Sequence, residues 1–565
     1  MWEGSTKRMG ENINPFVRYL NGLHNYNAQN PNAYCEKNVE SPYYGKIMVE
    51  MDICQHIIQA LSNYEPHILV LTGHAGDGKT SLMYQVLSRL RVAIDFSMPL
   101  IDVNLPNGNT CCCIKDFSEL SEDKKLEVMK KIVAYPGQGK HVFMVANTGP
   151  LINTFGELFD DEEVAERAKM ELISTMDGNK GEIVSIEQYS FLVINVAAID
   201  NTSFPGKFVN KIIDDSLWEK CGCCSKKSYC HMYHNQQLIK ENKSRVVDFL
   251  KKYYIWETEY GHRLTIRSMT EQLAYMITGG MECEDVLPGD LHKMLFFNLF
   301  FGYIGTFANT QAQNILAIKL VEENHFEMKR LRADEELIIR RNYDKLFSEN
   351  VASIIRNAER GNIFFSGWAE EVRRAYFFLN IVSDEDWRRD VEDIFSKQYM
   401  DYLDVRDGVR KPTKNQKTLI VDALRMIYLG TVISESNMIP ITLSKEYGIA
   451  QSVQLVVGEL NESEIEVLSQ KDSVMNKMKN NMIIRIRKGE EIALTLPMMN
   501  YFEELRNGII STNIDPQLSH GIESMKAQLL NVVFEDDDDL EIIIMNNAGY
   551  EKKKLSVEND YLYLN

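Results

Sequence analysis

The chain has 565 residues, 44% of them hydrophobic, and a formal net charge of −19. That length exceeds what one core usually supports and predicts two to four domains. The acidic balance excludes a protein whose whole surface is a nucleic-acid footprint, so any DNA contact is local or made through a partner. No run of about eighteen apolar residues occurs, and Met1 to Asn14 lacks the basic-then-apolar plan of a signal peptide. The apolar stretch Met294 to Phe301 is too short to span a bilayer and predicts a buried helix. Ten cysteines, three of them adjacent at Cys111, Cys112 and Cys113, fit a reducing compartment better than a disulfide framework. A soluble cytoplasmic protein with no membrane association is the expectation.

In chain order, an apolar strand from His67 to Thr72 runs into Gly73-His74-Ala75-Gly76-Asp77-Gly78-Lys79-Thr80, and a helical stretch begins at Ser81. This is the spacing of a phosphate-binding loop. Its glycines let backbone N–H groups curl round a polyphosphate at a helix N-terminus, Lys79 reaches the β/γ oxygens, and the Thr80 hydroxyl ligates Mg²⁺. Gly73, Gly76, Gly78, Lys79, Thr80 and Ser81 form the expected nucleotide-binding set. No Asn-Lys-x-Asp guanine signature occurs, so ATP with Mg²⁺ is the expected ligand.

Met98 to Asn104 reads as a strand, Pro106-Asn107-Gly108 as a tight turn, and Cys111 to Asp116 as a second strand ending on an acid. The three cysteines alternate faces of that strand and read as packing. A helix with apolar positions Leu126, Met129, Ile132 and Val133 follows, then an apolar strand, His141 to Ala146, tipped by Asn147. Strand, acid, helix, strand, Asn is the order of Walker B and sensor 1, and this stretch resembles the AAA+ and STAND branch of P-loop ATPases. The resemblance implies an α/β P-loop ATPase core with a parallel sheet and a helical lid. Asp116 would hold Mg²⁺ through its water shell, and Asn147 would orient the attacking water.

Asp102 also lies at the end of a strand and competes for the Walker B role. Position 117 is Phe where a second acid is usual, which leaves Glu119 as the nearest base and implies an ATPase that is slow or needs activation. Asp116 and Glu119 as plain solvated acids are the alternative.

Phe191 to Val196 reads as a further strand. Between Cys221 and His234 lie four cysteines and two histidines, and Cys221, Cys224, Cys230 and His234 make a C-x₂-C-x₅-C-x₃-H pattern that fits a structural Zn²⁺ knuckle. Cys223 or His231 are substitute ligands, an iron–sulfur cluster is a second option, and ordinary thiols are a third. Arg267, in Leu264 to Leu273, resembles the sensor 2 arginine at the start of an AAA+ or STAND lid helix and would approach the γ-phosphate. A helix-start arginine paired with an acid is the bland alternative.

Residues 290 to 435 carry mostly helical patterns, as in Trp368 to Leu379. They are interrupted by Arg406 to Lys417, a basic loop that would touch a nucleic-acid backbone or an acidic partner, or simply be solvated. Residues 436 to 565 turn strand-rich at Gln454 to Val457, Met482 to Ile486 and Leu540 to Met545, and Asp536 to Asp539 reads as a solvated acidic turn. The expected division is an N-terminal segment at 1–45, a P-loop domain at 46–260 with the knuckle at 221–234, a helical lid and helical domain at 261–435, and an α+β domain at 436–565.

Taken in order, Gly73 to Thr80, Lys115 to Leu120, Val145 to Leu151, the Cys/His knuckle and Leu264 to Ser268 resemble the F-component (DptF-like) ATPases of bacterial phosphorothioation-dependent restriction and antiphage systems. These motifs cover roughly the first half of the chain. The resemblance implies a defence ATPase that works with helicase- or nuclease-type partner proteins on foreign DNA. A nucleotide-gated STAND-type scaffold, forming an oligomer on ATP with little turnover, is the other expectation.

Overall fold

The computed structural model describes residues 13–24, 41–92, 98–178, 181–289, 291–362, 367–432, 436–443, 452–471, 480–487, 489–509, 514–533, 540–546, 549–558 and 561–564. The acidic run Asp536 to Asp539 and the start, Met1 to Asn12, lie outside them. The chain divides into two compact units. Among the described residues, one comprises those of 1–258 and 263–387, and the other those of 259–262, 388–472 and 477–565.

The first unit is built on a six-stranded mixed sheet. Its strands are β1 (Ile68–Thr72), β2 (Leu100–Asn104), β3 (Thr110–Ile114), β4 (Lys140–Val145), β5 (Val184–Ile186) and β6 (Tyr189–Asn195), in the order β2-β3-β4-β1-β6-β5. β3, β4, β1 and β6 run parallel, and β2 and β5 close the edges antiparallel. β1 is buried along its whole length, as an unbroken Ile-Leu-Val-Leu run demands of a central strand covered on both faces.

Leu69 and Leu71 face Leu82, Met83, Val86 and Leu87 of the helix Lys79–Arg89. Ile68 and Val70 face Leu151 and Phe155 of the helix Thr148–Gly156 and Leu172 of the helix Glu162–Gly178. Cys111 and Cys113 join the first of these cores and Cys112 the second, so the cysteine run packs as its alternation predicts.

Beyond the sheet the unit is helical. The helix Ile266–Thr278 packs against the helices Pro15–Asn21 and Phe204–Ile212. The apolar stretch at 294–301 forms the short buried helix Phe296–Phe300, whose rings meet Phe249 and Phe378 edge to face. One small hairpin, β7 (Tyr303–Ile304) with β8 (Phe307–Ala308), interrupts the helices.

The second unit holds two antiparallel sheets. One has the order β16-β15-β14-β10-β9, from β9 (Met438–Thr442), β10 (Val453–Asn461), β14 (Leu540–Asn546), β15 (Gly549–Glu558) and β16 (Tyr561–Leu564). The other pairs β11 (Ile465–Lys471), β12 (Asn480–Ile486) and β13 (Glu490–Leu494). The strand-rich C-terminal region is thus present. The basic stretch at 406–417 is only partly a loop: Arg406 ends the helix Tyr399–Arg406, and Lys414 opens the helix Lys414–Leu429. Arg406 is buried against Glu259 at 3.1 Å, and Arg410 pairs with Asp404 at 3.3 Å and with Asp401. These two cations are spent on neighbouring acids, which leaves the lysines as the solvent-facing charge of the segment. No helix among the described residues is long and apolar enough to cross a membrane.

Candidate functional site

Between β1 and the helix Lys79–Arg89 the loop turns through Gly73, Gly76 and Gly78, all at positive φ. At Gly76 (φ +89°) a Cβ would stand 3.0 Å from Thr265 Oγ1 and 3.2 Å from the Arg267 Cβ, so both conformation and space require glycine there. The helix starts at Gly78 in the left-handed region with no side-chain cap. Its first-turn N–H groups therefore face the loop as a ready anion site.

The Lys79 side chain, only 7% exposed, folds back into the loop. Its ammonium donates to the carbonyls of Gly73 at 2.9 Å and His74 at 2.7 Å, and to Asn147 Oδ1 at 3.0 Å. Burial lowers its pKa most, while the carboxylates of Asp77 and Asp116 oppose that shift and the Arg267 guanidinium adds to it.

β3 carries Asp116 to the same edge. Its carboxylate accepts from Ser118 N at 2.9 Å and so starts the turn Phe117–Glu119. The Ser118 hydroxyl accepts from Asn147 N at 2.7 Å, which ties the tips of β3 and β4 together. Phe117 is fully buried, while Glu119 is exposed.

A single cavity of about 600 Å³ is lined by Gly76, Gly78, Lys79, Thr80, Ser81, Asp116, Glu119, Asn147 and Arg267. Of the nucleotide-binding set named from sequence, Gly73 alone stays off this wall; it lies underneath, where a Cβ would sit 2.9 Å from Ala197 N. Asp102 is also absent from it. That carboxylate lies on the edge strand β2, is largely exposed, and pairs with Lys140 at 2.7 Å.

Several residues of the site carry no sequence signal. Arg263 donates to Asp77 Oδ1 at 2.7 Å and to the Val196 carbonyl at 3.2 Å, while Asp77 Oδ2 accepts from His74 N at 2.9 Å. With Arg267 N bonded to Gly76 O at 3.1 Å, the start of the helix Ile266–Thr278 is clamped to the loop at two points. The remaining wall is apolar and comes from distant segments, with Leu23, Tyr44, Ile47, Met51, Phe204 and Phe208 among its members.

Glu271, one turn after Arg267, is 8% exposed. Burial pushes its carboxyl up to about 7, against the pull of the Arg267 guanidinium. The folded protein thus holds a proton that the unfolded chain releases near 4.5, so this group's contribution falls as pH rises from 4.5 through 7. Its full span is roughly 3 kcal/mol. We expect Glu271→Gln to gain stability over wild type between pH 5 and pH 8, measured as urea midpoints of both proteins at each pH. A constant difference between the two would remove Glu271 as the titrating group.

In the Cys/His segment, the His231 Nε2 pairs with the Thr278 carbonyl at 3.0 Å in the core, so this imidazole serves packing and is no substitute ligand. Cys223 is exposed. Among the described residues no three His, Cys, Asp or Glu side chains close round one point as a single ion requires, and Cys221, Cys224, Cys230 and His234 therefore do not form a tight tetrahedron. Compared with protein-family models, with curated proteins and with solved structures, the chain matches none.

Proposed function

We propose that this protein binds MgATP in the 600 Å³ cavity and hydrolyses it, as a P-loop ATPase of the AAA+ or STAND type. The observation that carries the reading is the gathering of Lys79, Thr80, Asp116, Glu119, Asn147 and Arg267 on one wall, at the N-terminus of an uncapped helix. Such a cradle supplies N–H donors and cations where a triphosphate needs them. The apolar side chains opposite suit a purine ring.

Thr80 and Asp116 would hold Mg²⁺, which neutralises charge between the β and γ oxygens. Lys79 exchanges its carbonyl partners for phosphate oxygens, and Asn147 and Glu119 orient a water for attack on the γ-phosphorus. The bond from that phosphorus to the β,γ-bridging oxygen breaks, giving ADP and phosphate, and Glu119 takes the water's proton. Arg267 closes on the γ-phosphate from the lid.

The buried Phe117, standing where a second acid would activate water, supports slow or partner-stimulated turnover and the scaffold variant of the reading, in which ATP drives oligomerisation. The resemblance to F-component restriction ATPases extends the proposal to antiphage defence with helicase- or nuclease-type partners on foreign DNA.

Thermal melting with MgATP, MgGTP or EDTA alone tests the nucleotide step. At a hundredfold excess over the dissociation constant, ATP stabilises by about 2.7 kcal/mol, and GTP gives a smaller shift. No shift with MgATP would overturn the reading. Light scattering in the same samples separates scaffold from motor.

A further inference from the structure

The loop that the nucleotide reading assigns to a triphosphate carries a carboxylate of its own. Asp77 lies between Gly76 and Gly78, and its side chain is fully buried. A fixed negative charge in an anion site works against the phosphates that the site holds, and a buried charge needs a partner in any case. Asp77 is not among the residues that line the cavity, yet its charge reaches them. Burial lowers the Lys79 pKa, and the Asp77 carboxylate is the strongest influence in the opposite direction.

The compensating cation comes from the chain just ahead of the lid helix. Arg263 Nη1 donates to Asp77 Oδ1 at 2.7 Å, and Nη2 donates to the Val196 carbonyl at 3.2 Å, in the turn Val196–Ala198 that follows β6. Asp77 Oδ2 is taken by the loop itself, accepting from His74 N at 2.9 Å, with the His74 ring nitrogen Nδ1 at 3.8 Å. One oxygen thus fastens the loop to itself and the other fastens it to Arg263.

Arg263 is tied to the cavity wall through its own neighbours in sequence. Two residues on, the Thr265 hydroxyl caps the helix Ile266–Thr278 by accepting from Ser268 N at 3.2 Å. Ile266, Arg267 and Thr270 of that helix line the cavity, whereas Arg263 does not. Lifting the start of this helix from the loop therefore draws Arg263 away from Asp77 as well.

We propose that Arg263 and Asp77 form an electrostatic latch through which the lid helix sets the phosphate affinity of the loop. The inference rests on the nucleotide reading given above. With the pair closed, the Asp77 charge is neutralised and the loop accepts a triphosphate. With Arg263 withdrawn, the bare carboxylate repels the phosphates and favours release. The coupling is reciprocal, so bound nucleotide holds the helix start on the loop by the same factor. Arg263 is a positioning residue in this scheme, and its work is separate from that of Arg267 on the cavity wall.

The test is the dissociation constant for MgATP, by titration calorimetry on the full chain, for wild type, Arg263→Gln, Asp77→Asn and the double variant, with melting temperatures as the folding control. Arg263→Gln should weaken binding at least about tenfold, and adding Asp77→Asn should return it to within about threefold of wild type, because no charge is left to neutralise. A clamp that served the fold alone would not be rescued by removing its second half. Wild-type affinity in Arg263→Gln, or no recovery in the double variant, would overturn the latch and leave the nucleotide reading standing. A wild-type protein that binds no MgATP would overturn the nucleotide reading and the latch with it. Should Arg263→Gln not fold, Asp77→Asn and the double variant decide: equal affinities support the latch, and a further loss of more than about threefold in the double overturns it.

Discussion

Lys79→Ala should lower phosphate release from ATP by at least about 100-fold, roughly 3 kcal/mol of transition-state stabilisation, while the fold survives. The ammonium is the cation nearest the loop oxygens, with three acceptors at 2.7 to 3.0 Å and little exposure. Removing it takes away the charge that meets the developing negative charge between β and γ phosphates. It also leaves Asn147 Oδ1 without this donor. The sheet and both cores are untouched by the change, because Lys79 contributes to neither apolar cluster. Steady-state phosphate release, with melting temperatures as the control for folding, checks this. Turnover at the wild-type level would remove Lys79, and the loop with it, from the chemistry.

The second large effect is a ranking. Asp116→Asn should cut Mg²⁺-dependent turnover by about 30- to 100-fold, or 2 to 3 kcal/mol, whereas Asp102→Asn should stay within about twofold. Asp116 lies on the cavity wall beside Lys79 and Asn147. An Asn at this position still accepts from Ser118 N, so the turn Phe117–Glu119 is kept and only the charge needed for Mg²⁺ is lost. Nucleotide binding should be partly retained, since the Lys79 cradle is intact. Asp102 sits on the edge strand in an exposed ion pair with Lys140, a contact worth at most about 1 kcal/mol of stability. Single-turnover rates across a Mg²⁺ titration check the order, and the reverse order would make Asp102 the metal-handling acid.

What was legible in the sequence was local. Gly73 to Thr80 carries its chemistry in eight consecutive residues, and the hydrophobic runs of β1, β3, β4 and β6 are unbroken because both faces of those strands are covered. Asp116 and Asn147 could be placed at strand tips for the same reason.

Hidden features depended on folding distant segments together. Arg263 meets Asp77 186 positions away, and nothing in either neighbourhood marks the pair. Tyr44, Phe204 and Phe208 read as ordinary core residues until the sheet brings them to the cavity. In the cysteine segment His231 and His234 both fit a ligand spacing, and only the fold shows that His231 is spent on the Thr278 carbonyl.

The position of β1 in its sheet also bears on how the protein is made. β1 pairs with β4 on one side and with β6 on the other, and the β6 partners run from Phe191 to Asn195. A ribosome-bound chain that has exposed only the first hundred residues holds a complete Gly73 to Thr80 loop with both edges of its strand unpaired. The strand gains its first neighbour when residues 142–145 emerge and its second only when 191–195 do. Until then an apolar strand edge is open to any other nascent chain, a recognised route to misassembly. The loop at that stage also lacks its contacts with Arg263 and Arg267, which are translated later still. The pocket is therefore a late product of synthesis although its defining loop is among the earliest segments made.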